Sequence, residues 1–260
     1  MQEKSRSGRL PDGFIFHGGR TGSTLLVRML KSLDGVEVFS EIDLVTQIIN
    51  DKDKFSSSNL KTFIQNALDA YLKCVDKKSK CFFKFTSTDT VALSLFMKYY
   101  PQIPIIYLFD SPDRILSSQL LRPPRWIFDC VRLAQKNGYK RKETESLNLV
   151  AERIKAQSYI LNKSFKIVLN NVHKSEMLIL PYEDLFTKKV FRVFKHLGLN
   201  VSKADVKKIE MVKLIDAKNP TKKFSKVKRE SSTPKILATH FFQPKSLNSN
   251  YQKLISLSKS

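Results

Sequence analysis

Phe14-Ile15-Phe16-His17-Gly18-Gly19-Arg20-Thr21-Gly22-Ser23-Thr24-Leu25-Leu26 is the stretch that decides the fold. Its first four residues are a short apolar run that stops at two glycines. Beyond the loop, Leu25, Leu26, Met29, Leu30 and Leu33 recur at helical spacing. The order is strand, glycine loop, helix. In that order the N–H groups of Gly18, Gly19, Arg20, Thr21 and Gly22 and of the first helical turn can converge on an anion at the positive end of the helix dipole. Ser23 and Thr24 add hydroxyl donors and Arg20 adds a fixed charge. The plainer alternative for the same residues is a tight glycine turn with no ligand.

Working outward, short strand-like runs alternate with helical patterns. Val36 to Phe39 reads as a second strand, followed at once by Ser40-Glu41. Leu60 to Val75 is helical, Cys81 to Phe85 strand-like, and Thr90 to Tyr100 a helix stopped by Pro101. Ile103 to Phe109 is nearly all apolar, as strands covered on both faces are, and Asp110-Ser111-Pro112 opens another helix. Leu147 to Leu169 reads as one long helix, Met177 to Leu180 as a strand, and Leu185 to Leu197 as an amphipathic helix closed by Gly198. Residues 1–12 are a polar lead-in, Arg122 to Glu145 is charged and irregular, and 218–260 forms a basic tail without periodicity, expected to be mobile or ordered by ligand. The pattern predicts one α/β domain over 1–260 with a mainly parallel central sheet between helical layers. Ligands then sit beyond the carboxyl ends of the strands, at the polar residues that follow His17, Phe39, Phe85, Phe109 and Leu180.

Composition narrows the partners without naming one. With 46 Lys and Arg against 24 Asp and Glu, the formal net charge is +22, a field that attracts polyanions of any kind. A phosphate-rich cofactor, an anionic membrane surface touched peripherally, and nucleic acid all fit the sign, as does a surface that is merely lysine-rich. No nucleic-acid recognition motif is readable, so specific nucleic-acid binding is not expected. Cys74, Cys81 and Cys130 form neither a CxxC pair nor a cluster with His, which indicates no zinc site and no disulfide framework. A reducing compartment follows, and with no apolar export segment at the start a cytoplasmic protein is expected. Oligomeric state leaves no signature.

Against the nucleoside-triphosphate loop G-x-x-x-x-G-K-[ST], this one has His17 at the first glycine and Ser23 at the lysine. Arg20-Thr21-Gly22-Ser23-Thr24-Leu25-Leu26 instead resembles the R-S-G-[ST]-T-L-L loop of the sulfotransferases. Other segments fall in that family's order. Glu41, just past the second strand, stands where tyrosylprotein and trehalose sulfotransferase types keep a catalytic glutamate. Lys84 resembles the lysine of their K-[ST]-P segment, although no proline follows Thr86-Ser87 here. Ile105 to Ser118 is similar to the strand and R-D-P-x-x-x-x-x-S element, and Leu180-Pro-Tyr-Glu-Asp-Leu185 to the late Y-E-D-L segment. The resemblance spans residues 14 to 200 and implies a P-loop NTPase-like three-layer fold with a 3′-phosphoadenosine 5′-phosphosulfate site.

What it implies chemically is sulfuryl transfer to a hydroxyl or, less readily, an amine. Arg20 and Lys84 would stabilise developing charge, Glu41 would accept the acceptor's proton, and no metal is called for. Each residue has a plainer role: Glu41 as a helix cap, Lys84 as a strand end reaching solvent, His17 as loop packing. One departure stands out. Asp110 occupies the place of the family's arginine for the 3′-phosphate, leaving Arg114 and Ser118 as the nearest substitutes. The run Lys222, Lys223, Lys226, Lys228 and Arg229 is a further candidate to cover the nucleotide. The acceptor would be chosen by Phe55 to Asn59 and Arg122 to Glu145, with Trp126 as a candidate wall. Two other readings stay open: a Mg²⁺-dependent kinase or phosphohydrolase with Asp110 and Thr24 on the metal, and a non-catalytic anion-binding protein that keeps the fold.

Overall fold

A computed structural model describes residues 8–121, 123, 129–140, 149–174, 176–215 and 245–259. Trp126 and the run from Lys222 to Arg229 lie outside the described residues.

Five strands form one sheet: β1 (Gly13–His17), β2 (Val36–Ser40), β3 (Lys80–Lys84), β4 (Ile105–Phe109) and β5 (Met177–Pro181). The order across it is β2-β3-β1-β4-β5, and every adjacent pair is parallel. The expected parallel sheet is therefore present. Its strands alternate with period two, as pleating requires. Phe14, Phe16, Phe83, Phe85, Tyr107 and Phe109 face one layer, while Ile15, Phe82, Ile106 and Leu108 face the other.

The aromatic face is covered by α2 (Asp43–Asn50), α3 (Ser57–Leu72), α4 (Leu93–Tyr99), α5 (Pro112–Leu121), α7 (Leu149–Asn171) and α10 (Lys245–Lys259). Phe14, Phe16, Phe85 and Phe96 make mutual tilted, edge and stacked contacts there, with centroids 4.5–5.5 Å apart, the range in which aromatic pairs add to simple burial. The aliphatic face packs on α1 (Ser23–Lys31), α8 (Phe191–His196) and α9 (Lys203–Lys213). Helices on opposite faces make three layers. No helix among the described residues is long and apolar enough to cross a membrane.

Several elements differ from expectation. The helix expected over Leu185 to Leu197 is broken into 3₁₀ turns at Tyr182–Phe186 and Lys188–Val190 before α8 begins. Thr187 causes the break: it is extended (φ −110°, ψ 175°) and its Oγ1 accepts from Lys189 N–H. Thr90 to Tyr100 likewise opens with a 3₁₀ segment, Ser87–Ala92, before α4. Within the stretch expected to be irregular, α6 (Cys130–Lys136) packs Cys130 and Ala134 on Ala156 and Ile160 of α7.

The largest correction concerns the tail. Residues 245–259, expected to lack periodicity, form α10, and its Leu247 and Leu254 are fully buried against the aromatic face. Asn250 and Ser258 continue that buried face, so the stripe is there at helical spacing but half of it is polar, which hides it from a hydrophobic reading.

Candidate active site

The glycine loop begins where β1 ends. Gly18 N–H extends the sheet by donating to Leu108 O (2.9 Å), and Gly19 N–H donates to His17 Nδ1 (3.0 Å). Because Nδ1 accepts, the proton sits on Nε2, which donates to Phe85 O (3.1 Å). His17 is thereby a staple between the loop and the end of β3. Burial, and then the charge of Lys84, hold its pKa well below the ordinary 6.5. This is loop packing, not a poised base.

Gly19, Arg20 and Gly22 all have left-handed backbone, with φ of 82°, 56° and 79°, the kind of turn that gathers successive N–H groups into an anion-binding concavity. Gly22 is also the N-cap of α1, and no acidic residue stands in the first turn of that helix. A Cβ on Gly22 would lie 2.5 Å from Leu185 Cδ1 and 2.9 Å from Tyr182. The late Tyr-Glu-Asp-Leu segment therefore presses on the loop from behind. Thr21 is fully buried, its Oγ1 has no hydrogen-bond partner, Ser23 is buried and Thr24 is exposed.

Beside the loop, the sheet order brings the ends of β2 and β3 together. Ser40 is in register with Lys84, and Lys84 with Ile15 of β1. Glu41 N–H donates to Lys84 O (2.7 Å), and the Lys84 ammonium forms an ion pair with the Glu41 carboxylate. The Lys84 side chain is 4% exposed and that of Glu41 56%. Lys84 is thus a buried cation, not a strand end reaching solvent. Glu41 caps no helix, since Ile42 is the N-cap of α2. Glu41 also has φ 56°, and it and Arg20 are the two non-glycine residues with left-handed backbone among those described. Such conformations cost about 1–3 kcal/mol each and gather at functional sites.

On the far side of β1, Asp110 is buried and its Oδ1 accepts from Ser111 N–H (2.7 Å). Arg114 Nη1 lies 3.4 Å from Asp110 Oδ1 and 3.1 Å from Glu183 Oε1, and Nη2 also donates to Glu183. The cation expected to replace the family's 3′-phosphate arginine is therefore spanned by two carboxylates. Ser118 is half-buried, one turn further along α5.

Two groups escaped the sequence reading. Asp89 is buried, with Oδ2 accepting from Thr86 N–H (3.0 Å) and Thr46 Oγ1 (2.9 Å) and Oδ1 without a partner. Burial chiefly, opposed by those hydrogen bonds and aided by the charge of Glu41, pushes its pKa up to about 6. The Thr86-x-x-Asp89 spacing, a capping-box signature, was the available signal. The second is a small, water-sized pocket lined by Gly18, Ser87, Thr88, Gln119, Gln157, Ile160, Leu161 and Ser164, whose residues come from four separate parts of the chain and carry no local signal.

No family model and no curated protein matches the chain. Solved structures do. The sulfotransferase domain of the Synechococcus PCC 7002 olefin synthase superposes with a TM-score of 0.55 at 15% identity, covering 100% of this chain and 98% of that one. The sulfotransferase domain of the curacin biosynthetic pathway gives 0.53 at 15%, over 97% and 99%. Sulfotransferase STF9 from Mycobacterium avium gives 0.59 at 9%, over 96% and 78%. The fold is a sulfotransferase-like α/β fold, and at such identities the likeness extends to the fold alone.

Proposed function

We propose that this protein transfers a sulfuryl group from 3′-phosphoadenosine 5′-phosphosulfate to a hydroxyl, or an amine, of a second molecule. One observation carries the reading: the Glu41–Lys84 ion pair at the strand ends beside the glycine loop. The residues present suit the phosphosulfate end of such a donor. The left-handed loop from Gly18 to Thr24 would hold it through backbone N–H groups and the Ser23 and Thr24 hydroxyls. When bound, the donor supplies a sulfuryl group whose sulfur joins the acceptor oxygen as its bond to the phosphate oxygen breaks, the electron pair going to the phosphate.

Arg20 and Lys84 would set fixed cations against the charge that grows on the departing phosphate and the sulfuryl oxygens, where a dry site makes each count for more than in water. Glu41, half exposed and held by Lys84, would take the acceptor's proton. The 3′-phosphate contact does not fit as well, because Arg114 is already engaged by Asp110 and Glu183. Ser118 and the basic run from Lys222 to Arg229 are the groups left to supply it. A reducing, cytoplasmic setting is part of this reading.

A second reading, a Mg²⁺-dependent kinase or phosphohydrolase, draws support from the buried Asp110 at the end of β4. Calorimetric titration with 3′,5′-adenosine bisphosphate, alongside ATP with Mg²⁺ and at moderate salt, separates them. Tight bisphosphate binding with weak ATP is the expected result. Preference for ATP would support phosphoryl transfer instead, and binding of neither would leave an anion-binding protein that keeps the fold.

A further inference from the structure

The turn from Ser87 to Ala92, just beyond β3, carries a carboxylate that the chemistry above does not use. Asp89 is 1% exposed; its Oδ2 accepts from Thr86 N–H (3.0 Å) and from the Thr46 hydroxyl (2.9 Å), and its Oδ1 has no hydrogen-bond partner. The bond from Thr86 is local, one half of a capping box. The bond from Thr46 is not, since it spans 43 residues of chain to reach α2. As a cap alone this group is a poor choice, because a carboxylate in a dry interior with one oxygen unmet is costly. Buried groups left partly unsatisfied call for a reason beyond the fold.

The reason lies one helical turn away. Thr46 N–H donates to Ile42 O (3.1 Å), and Ile42 directly follows Glu41. Ile42 is the N-cap of α2 and provides no side-chain cap, so the helix start is not fixed by a side chain of its own. Glu41 stands in left-handed backbone (φ 56°), a conformation that persists only where the surroundings impose it. From the strand side the hold is Glu41 N–H on Lys84 O (2.7 Å). From the helix side it is the charge-assisted bond of Thr46 to Asp89. Thr86, the other donor to Asp89, lies two residues beyond Lys84, so one carboxylate joins the segment that carries Glu41 to the segment that carries Lys84. The Thr90 hydroxyl next to it donates to His17 O (3.2 Å), which references the same turn to the start of the glycine loop. Asp89 also feels the charge of Glu41. The two carboxylates repel, and the bonds at Asp89 hold their segments together against that repulsion.

We propose that Asp89, acting through Thr46, is a positioning residue that holds Glu41 on Lys84 and fixes both relative to the glycine loop. Its consequence for catalysis rests on the function proposed above, while the hold itself is a matter of geometry.

The test uses the full chain and ¹⁵N NMR of the Lys84 ammonium, whose burial and ion pair slow the exchange of its protons. Calorimetry with 3′,5′-adenosine bisphosphate and thermal melting run alongside. Thr46→Val removes the hydroxyl and keeps the shape. Its Lys84 ammonium protons are expected to exchange about tenfold faster, with bisphosphate affinity within about twofold of the parent. Asp89→Asn still offers a carbonyl oxygen to both donors, so its Lys84 exchange should match the parent's.

Unchanged Lys84 exchange in Thr46→Val, with or without a lower Tm, would overturn the proposal, since the bond would then serve the fold alone. Faster exchange in Asp89→Asn would also overturn it, because the charge and not the bond would be what matters. So would a tenfold loss of bisphosphate affinity in Thr46→Val, the mark of general loosening. Absence of bisphosphate binding in the parent would sink the sulfuryl-transfer reading, and Lys84 exchange in the two variants would still decide whether Asp89 holds Glu41.

Discussion

Glu41 and Arg20 carry the cost of left-handed backbone without being glycine, and strain of this kind trades stability for geometry. Arg20→Gly relieves the backbone while deleting the charge. It should fold at least as stably as the parent, by about 0–1 kcal/mol, yet bind bisphosphate at least tenfold more weakly, read by thermal melting and calorimetry together. Glu41→Gln keeps a polar partner for the buried Lys84 and removes the proposed proton acceptor, so on that reading turnover should drop about a hundredfold or more with donor binding retained. Equal loss of binding would mean that Glu41 holds structure. Gly22→Ala is the opposite case. Its methyl would meet Leu185 and Tyr182 at 2.5–2.9 Å in a left-handed backbone, and a loss of about 2 kcal/mol or more is expected from chemical denaturation.

His17 gives a pH dependence whose sign is set by its surroundings. Its folded pKa is held well below 6.5, so between those two values the unfolded chain binds a proton that the native protein refuses. Stability from this group is complete above about pH 6.5 and declines as pH falls below it. His17→Asn should flatten that part of the curve of stability against pH. The difference between parent and variant isolates it from His196, whose pKa is also lowered by burial.

At the scale of elements, the structure turns on what closes each face of the sheet. α10 is joined to the rest by residues outside those described, yet it packs on α7 and β5 and buries Leu247 and Leu254 completely. Leu254→Ala should therefore cost about 2–5 kcal/mol, as a core truncation does, and not the few tenths of a mobile tail. A change within about 0.5 kcal/mol in denaturant titration would place α10 outside the cooperative unit. β1, the glycine loop and α1 were legible because apolar run, glycines and helical spacing are all local. α8 was legible only as an amphipathic stretch: the break at Thr187 depends on one side chain choosing to cap Lys189, which periodicity does not register.

For the whole molecule, a net charge of +22 works against its own compactness. Added salt screens that repulsion within about a Debye length, so the Tm should rise as NaCl goes from low to several hundred millimolar, where a charge-balanced protein would stay flat. Adsorption to RNA or to anionic vesicles should vanish over the same range, while bisphosphate binding in a preformed loop should fall only modestly. A salt-resistant association with RNA would contradict the expectation of no specific nucleic-acid ligand.

By itself the sequence determined the strand–loop–helix unit around Gly18 to Thr24, the parallel sheet and the residues that follow each strand end, because these are written in local period and composition. Only the tertiary structure decided which of those residues meet. Sheet order sets Glu41 on Lys84, and Asp110 and Glu183 jointly occupy Arg114. Contacts of this kind depend on which strands are neighbours and which side chains are left with no water to satisfy them, and neither is a property of any short stretch of chain.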